Sequence, residues 1–218
     1  MPEIECYRGK PQVFIIESLP AEDVNNMRMD GKVLERQLKL TGQEPIYRVA
    51  LNLGDLRKSV EEFSQTNYRF LHISCHGKST GVILAANPNG ESFKEFSSCF
   101  AGFVGSARIT FSACKLGNKA FYEEFYKQNK GVHSLIAPVS DLPFQRGSIF
   151  WAAYYTKLFE ECNERNNHIK RDFIERSVPS LARVCGVSMK YAIYEPDKKR
   201  VKIKSTKKGR PVFICPTW

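Results

Sequence analysis

Two short stretches hold the residue types that nucleophilic chemistry needs. His76-Gly77 follows the apolar run YRFLHISC (68–75), and Cys114 follows ARITFSA (107–113), 38 residues later. A thiolate is a good nucleophile, and a nearby imidazole can activate the thiol and then protonate a leaving amine. Gly77 would let a substrate carbonyl come close to the backbone. Its N–H and that of Cys114 would then form an oxyanion hole. A plainer reading exists for each residue alone. A cysteine at a strand end is commonly a small core residue, and His-Gly is common at turns. Cys75 alternates to the opposite face from His76 and is expected to be buried. His72 reads as a core residue, and His133 and His168 stand in no motif.

These residues matter only if the elements beneath them bring them together. VFIIE (13–17) reads as a buried strand, followed by a helix with Val33, Leu34 and Leu38 on one side. IYRVAL (46–51) is a second strand, and Leu56, Val60 and Phe63 then fall at helical spacing. The runs ending at Cys75 and Ala113 are further strands, with GVILA (81–85) between them. A helix with Phe121, Tyr122, Phe125 and Tyr126 leads to the strand HSLIAP (133–138) and a long helix over 147–161. This alternation predicts an α/β fold: a mostly parallel sheet with helices on both faces. Active sites in such folds lie beyond the carboxyl ends of the strands, where His76 and Cys114 both fall. After Pro179 the pattern changes. MKYAIYE (189–195), RVKIK (200–204) and PVFIC (211–215) predict three antiparallel strands with turns at Pro196-Asp197 and Lys208-Gly209. About thirty residues bury little alone, so 187–218 is expected to be a small β-rich appendage of one domain spanning 1–218.

Composition narrows the classes. The net charge of +10 is local: Lys198 to Arg210 holds eight basic residues and no acidic one, and without them 25 basic residues face 23 acidic ones. That stretch would suit phosphates, but its alternation with Val201 and Ile203 also fits an edge strand that charge keeps from aggregating. Nucleic acid is therefore not the expected partner. Seven cysteines, at 6, 75, 99, 114, 162, 185 and 215, include no Cys-x-x-Cys pair. They suit neither a disulfide framework nor a zinc site. No apolar run is long enough to span a bilayer, which takes about 20 residues. The opening MPEIECYRGK lacks an apolar secretory core, so a cytoplasmic location is expected.

Three blocks together resemble the CHAT domains, the caspase- and separase-like branch of cysteine peptidases. LHISCHGKSTGVILA (71–85) resembles the His-Gly block of that family, and ITFSACKLG (109–117) its Ser-Ala-Cys-x-x-Gly block. SLIAPVSDLPFQRGSIFWAAYYTKLFE (134–160) resembles the strand, Pro-Val-x-Asp turn and long helix that follow. The blocks stand in family order over about residues 68–160. The resemblance implies a caspase-like fold and an intracellular endopeptidase acting on a protein substrate through a thioester acyl-enzyme. It implies no cofactor and no metal. It also implies a sensor or partner protein that switches the enzyme on, as in bacterial stress and antiviral programmes. Caspases carry Gln-Ala-Cys where this chain has Ser112-Ala113-Cys114, so an aspartate preference is not expected. Ser112 and Asp141 are the candidate substrate-binding residues. The likeness to separases suggests that Asp141 pairs with a basic side chain before the scissile bond; alternatively, it serves the N-terminus of the following helix. Two rival readings are a catalytically silent module of the same fold and a basic nucleic-acid-binding α/β protein.

Overall fold

The computed structural model describes residues 10–162, 172–206 and 212–215. Cys6, His168, residues 207–210 of the basic segment with the turn expected at Lys208-Gly209, and Pro211 lie outside the described residues.

The central sheet grows from apolar runs. β1 (Lys10–Ser18) pairs in parallel with β2 (Ile46–Val49) on one side and β3 (Tyr68–Lys78) on the other. β3 pairs in parallel with β6 (Arg108–Ser112), and β6 with β7 (Ser134–Pro138). The order continues antiparallel through β8 (Met189–Glu195), β9 (Arg200–Ser205) and β10 (Val212–Ile214). The C-terminal strands thus extend the sheet instead of forming a layer of their own. Beyond Cys75, β3 runs on through His76-Gly77-Lys78 and leaves the parallel sheet. There it pairs with β4 (Gly81–Leu84), which pairs with β5 (Asn87–Ser92).

Strand alternation divides the apolar residues between two cores. Phe14, Ile16, Leu71, Ile73, Ile109 and Phe111 pack on one face against α3 (Leu53–Gln65), α4 (Phe93–Ser98) and α5 (Lys119–Gln128). Val13, Ile15 and Phe70 pack on the other against α2 (Asp30–Leu40), α6 (Phe144–Glu161) and α7 (Phe173–Cys185). A short helix, α1 (Ala21–Asn25), precedes α2. The helix starts have local causes. The side chains of Asn52 and Asn118 accept the N–H of Asp55 and Phe121, and Ser92 with Glu95 forms a capping box.

The structure contains β5, α4 and α7, which periodicity alone did not predict. β5 reads NPNGES and lacks the β-branched and aromatic residues that mark a strand. α7 carries Pro179 in its middle, at a cost of about 3 kcal/mol relative to a good helix former. Burial of Phe173, Ile174, Val178 and Leu181 offsets that cost, and the helix ends at Gly186 in the left-handed region, φ 64°.

Candidate active site

β3 and β6 run in register with a constant offset: His72 lies opposite Thr110, and Ser74 opposite Ser112. These four polar side chains alternate with apolar ones and so share the face covered by α6. His72 meets Trp151 and Tyr155 edge-on there. His76 lies two residues further along β3 and Cys114 two residues past the end of β6, both at the carboxyl edge of the sheet. Both line one narrow cavity of about 100 Å³, together with Leu19, Asp30, Ser74, Cys75, Ser112, Leu142, Phe144 and Gly147.

Close backbone approach holds the pair. A Cβ on Gly77 would lie 2.1 Å from the carbonyl oxygen of Cys114, so only glycine fits where β3 passes the nucleophile turn. The turn itself is tied to the loop after β7. Lys115 N–H donates to Ser140 O at 3.2 Å, and Gly117 N–H to Pro138 O at 2.7 Å. Lys115 has φ 61°, an uncommon value for a side-chain-bearing residue that re-aims the chain immediately after Cys114. The N–H of Leu142 points at the Cys114 sulfur at 3.2 Å, a donor placed where thiolate charge would develop.

His76 is held from its far side. Its Nε2–H donates to Asp23 Oδ2 at 2.6 Å. Asp23 is 7% exposed, sits in α1, and also faces Arg28 at 3.6 Å. Phe144 stands edge-on to the imidazole with ring centroids 6.2 Å apart. With Nε2 engaged by a carboxylate, Nδ1 is the nitrogen free to exchange a proton with a thiol or an amine. Chemically, the arrangement offers a thiol, a tethered imidazole, a carboxylate behind it, and backbone N–H groups of two strand ends.

The other candidate residues fall in different places. Ser112 lines the cavity and donates its hydroxyl to Asp30, and Gly77 lies against the Cys114 carbonyl. Asp141 does not line it: its side chain is 73% exposed and pairs with Lys115 Nζ at 3.0 Å. Cys75 is buried and lines the cavity, and burial pushes its thiol well above the usual range. His72 is fully buried with Nδ1 on Thr110 Oγ1 at 2.8 Å, and burial depresses it to about 3. Cys114, in contrast, is partly accessible.

Two carboxylates at the site went unread in the sequence: Asp23, and Asp30, which accepts the hydroxyls of Ser74 and Ser112. Both lie just after β1, at the same carboxyl edge as His76 and Cys114. That position was the available signal.

Among the described residues, no three metal-ligating side chains are grouped, and no helix is long and apolar enough to cross a membrane. No family model matches the chain, and no curated protein matches it. Among solved structures, the complex of Porphyromonas gingivalis RgpB pro- and mature domains is similar, at 9% identity and a TM-score of 0.46. The match covers 94% of this chain and 67% of that one.

Proposed function

We propose that this protein is a cysteine endopeptidase in which Cys114 is the nucleophile and His76 the general acid and base, with Asp23 orienting the imidazole. One observation carries the reading: a partly exposed histidine, fastened through Nε2 to a buried carboxylate, shares a cavity with a partly accessible cysteine. A merely structural histidine has no need of that tether beside a thiol.

In the reaction, Nδ1 of His76 takes the proton of Cys114. The sulfur attacks the peptide carbonyl, and the oxyanion forms against the N–H groups of Gly77 and Cys114. Collapse breaks the C–N bond. His76 returns the proton to the departing amine and leaves a thioester. Water, deprotonated by His76, attacks the thioester carbonyl; the acid product leaves, and the proton returns to sulfur. Asp23 stabilises the imidazolium formed in both halves.

The resemblance of residues 68–160 to CHAT peptidases extends the proposal to a single catalytic domain over 1–218. It also extends it to a cytoplasmic setting and to control by a separate sensor protein in a stress or antiviral response. The test is covalent labelling by peptides bearing a thiol-reactive electrophile. Wild type is expected to be labelled at Cys114 and Cys114→Ala not at all. Labelling of the alanine variant at the wild-type rate, or none of wild type by any peptide, overturns the proposal.

A further inference from the structure

The cavity beside Cys114 ends on acid. Asp30, 6% exposed, accepts one hydroxyl on each carboxylate oxygen, from Ser74 and from Ser112. Both serine hydrogens are thereby turned toward Asp30. The floor presents only acceptors: the remaining lone pairs of Asp30 and the two serine oxygens. Behind Asp30 lies Glu17, 2% exposed at the end of β1. It accepts the N–H of Gly31 at 2.8 Å, that of Lys32 at 3.2 Å and the hydroxyl of Tyr47 at 2.6 Å. The nearby cations are engaged elsewhere. Lys32 pairs with Glu35 at 2.5 Å, Arg28 with Asp23 at 3.6 Å and Lys115 with Asp141 at 3.0 Å. An acceptor-lined cavity over two buried carboxyls is complementary to a cation that comes from outside.

We propose that this cavity is the specificity pocket and that Asp30, with Glu17 behind it, selects substrates with Arg or Lys immediately before the cut. The proposal rests on Cys114 being the nucleophile, as argued above. A guanidinium or ammonium would take the free lone pairs of Asp30 and the serine oxygens. An acidic side chain would add a third negative charge, and an apolar one would leave the floor unpaired.

The occupant competes with a proton. Burial raises Asp30, and it raises Glu17 to about 7, with the charge of Asp30 adding to the effect. The other titratable or charged groups around the pair are Tyr47 on β2, Cys75 and His76 on β3, and Cys114 after β6. Asp23 with Arg28 and Lys32 with Glu35 are further ones among the described residues. Tyr47 and Cys75 are raised chiefly by burial and stay neutral. Below about pH 7 the carboxyl pair therefore holds a proton that a bound cation expels, so cation affinity rises with pH up to that point.

The test uses the full chain carrying Cys114→Ala and agmatine, a mimic of the arginine side chain. Calorimetry at pH 6 in two buffers of different ionisation heat is expected to show release of about one proton per agmatine bound. Affinity should weaken about tenfold from pH 6.5 to 5.5. Asp30→Asn should weaken binding at least tenfold, while Glu17→Gln keeps binding but removes most of the proton release. His76 is common to both backgrounds, so the difference reports the carboxyl pair. In the protein with Cys114 intact, a peptide electrophile with Arg should label at least tenfold faster than its Leu counterpart. Asp30→Asn should erase that preference, so that the Arg and Leu electrophiles label at the same rate. Leu labelling as fast as Arg, or an Arg preference that survives Asp30→Asn, overturns the proposal. Asp30-dependent agmatine binding without labelling by any peptide overturns the peptidase reading and leaves the cation pocket. Peptide labelling without agmatine binding does the reverse. If Asp30→Asn does not fold, Glu17→Gln decides, and proton release unchanged in that variant overturns the proposal.

Discussion

Asp23 engages His76 through Nε2 at 2.6 Å from a buried position, which makes it the residue whose removal best separates orientation from chemistry. Asparagine there keeps the shape but loses the charge that would stabilise the imidazolium in the transition state. Asp23→Asn is expected to lower kcat about 10²-fold with KM nearly unchanged. Asp23→Glu should recover part of the loss. A rise in KM with kcat intact would instead assign Asp23 to substrate binding. The two residues with reaction chemistry, His76 and Cys114, could be picked out of the sequence because each ends an unbroken apolar run, and alternation then states which face each occupies. Asp23 and Asp30 could not be picked out in the same way. They sit in AEDVNNMRMDG, a polar stretch whose acids look like ordinary helix-start residues, and only the fold brings Asp23 to His76 of β3 and Asp30 to Ser74 of β3 and Ser112 of β6. Asp141 shows the converse. Its local context resembles a pocket rim, yet Lys115, on the turn after Cys114, pairs with it at the surface.

At the scale of elements, the site depends on β3 running past the end of β6 while staying close to the turn that follows it. Gly77 makes this possible, because any Cβ there would collide with the Cys114 carbonyl at 2.1 Å. Gly77→Ala is expected to push the strand end and the nucleophile turn apart. Peptide labelling should fall at least 10²-fold while the far-ultraviolet circular dichroism stays native, since the core packing of β3 lies upstream of Gly77. Native labelling in this variant would mean that the close approach is not needed for reactivity. The basic β9 is a different kind of element. Lys202 and Lys204 both reach Glu175 of α7, at 2.9 and 3.0 Å, so their charge is spent inside the fold. Neutralising both is expected to leave peptide labelling within about twofold and to cost under about 1 kcal/mol of stability. Tight, salt-sensitive nucleic-acid binding that these changes abolish would restore the nucleic-acid reading. The sheet itself was readable from its β-branched and aromatic runs. α7 was not, because Pro179 imitates a helix stop and only the apolar face packed on β8 overrides it.

For the whole molecule, acid response is set by groups buried on the α6 face of the sheet, and two of them pull in opposite directions. His72 stays neutral in the fold, depressed by burial to about 3 from an ordinary 6.5. The unfolded chain therefore binds the extra proton first, and the contribution of His72 to stability is lost as pH falls from about 6.5 toward 3. Glu17 behaves oppositely. Its folded value of about 7 lies above the ordinary 4.5, so its contribution is full below about 4.5 and is lost as pH rises through 7. Between about pH 4.5 and 6.5 the two slopes offset each other, each worth at most about 1.4 kcal/mol per pH unit. Below that window the Glu17 slope is gone and the His72 slope is joined by carboxylates that ion pairs hold below their usual range, such as Glu35 and Glu175, while Asp30, raised by burial, opposes them. Thermal melts from pH 3.5 to 8 are therefore expected to show a wild-type Tm nearly level over the middle of the range and falling below about pH 4.5. In Glu17→Gln the decline should begin at higher pH than in wild type, because the Glu17 share of the opposing slope is gone and only that of Asp30, also raised by burial, is left. In His72→Gln the Tm should rise as pH drops from 7 to 4.5 and fall less steeply below it. The surface carboxylates are common to all three proteins, so the differences isolate the two buried groups. Parallel Tm curves for wild type and His72→Gln would show that His72 does not govern the acid limb.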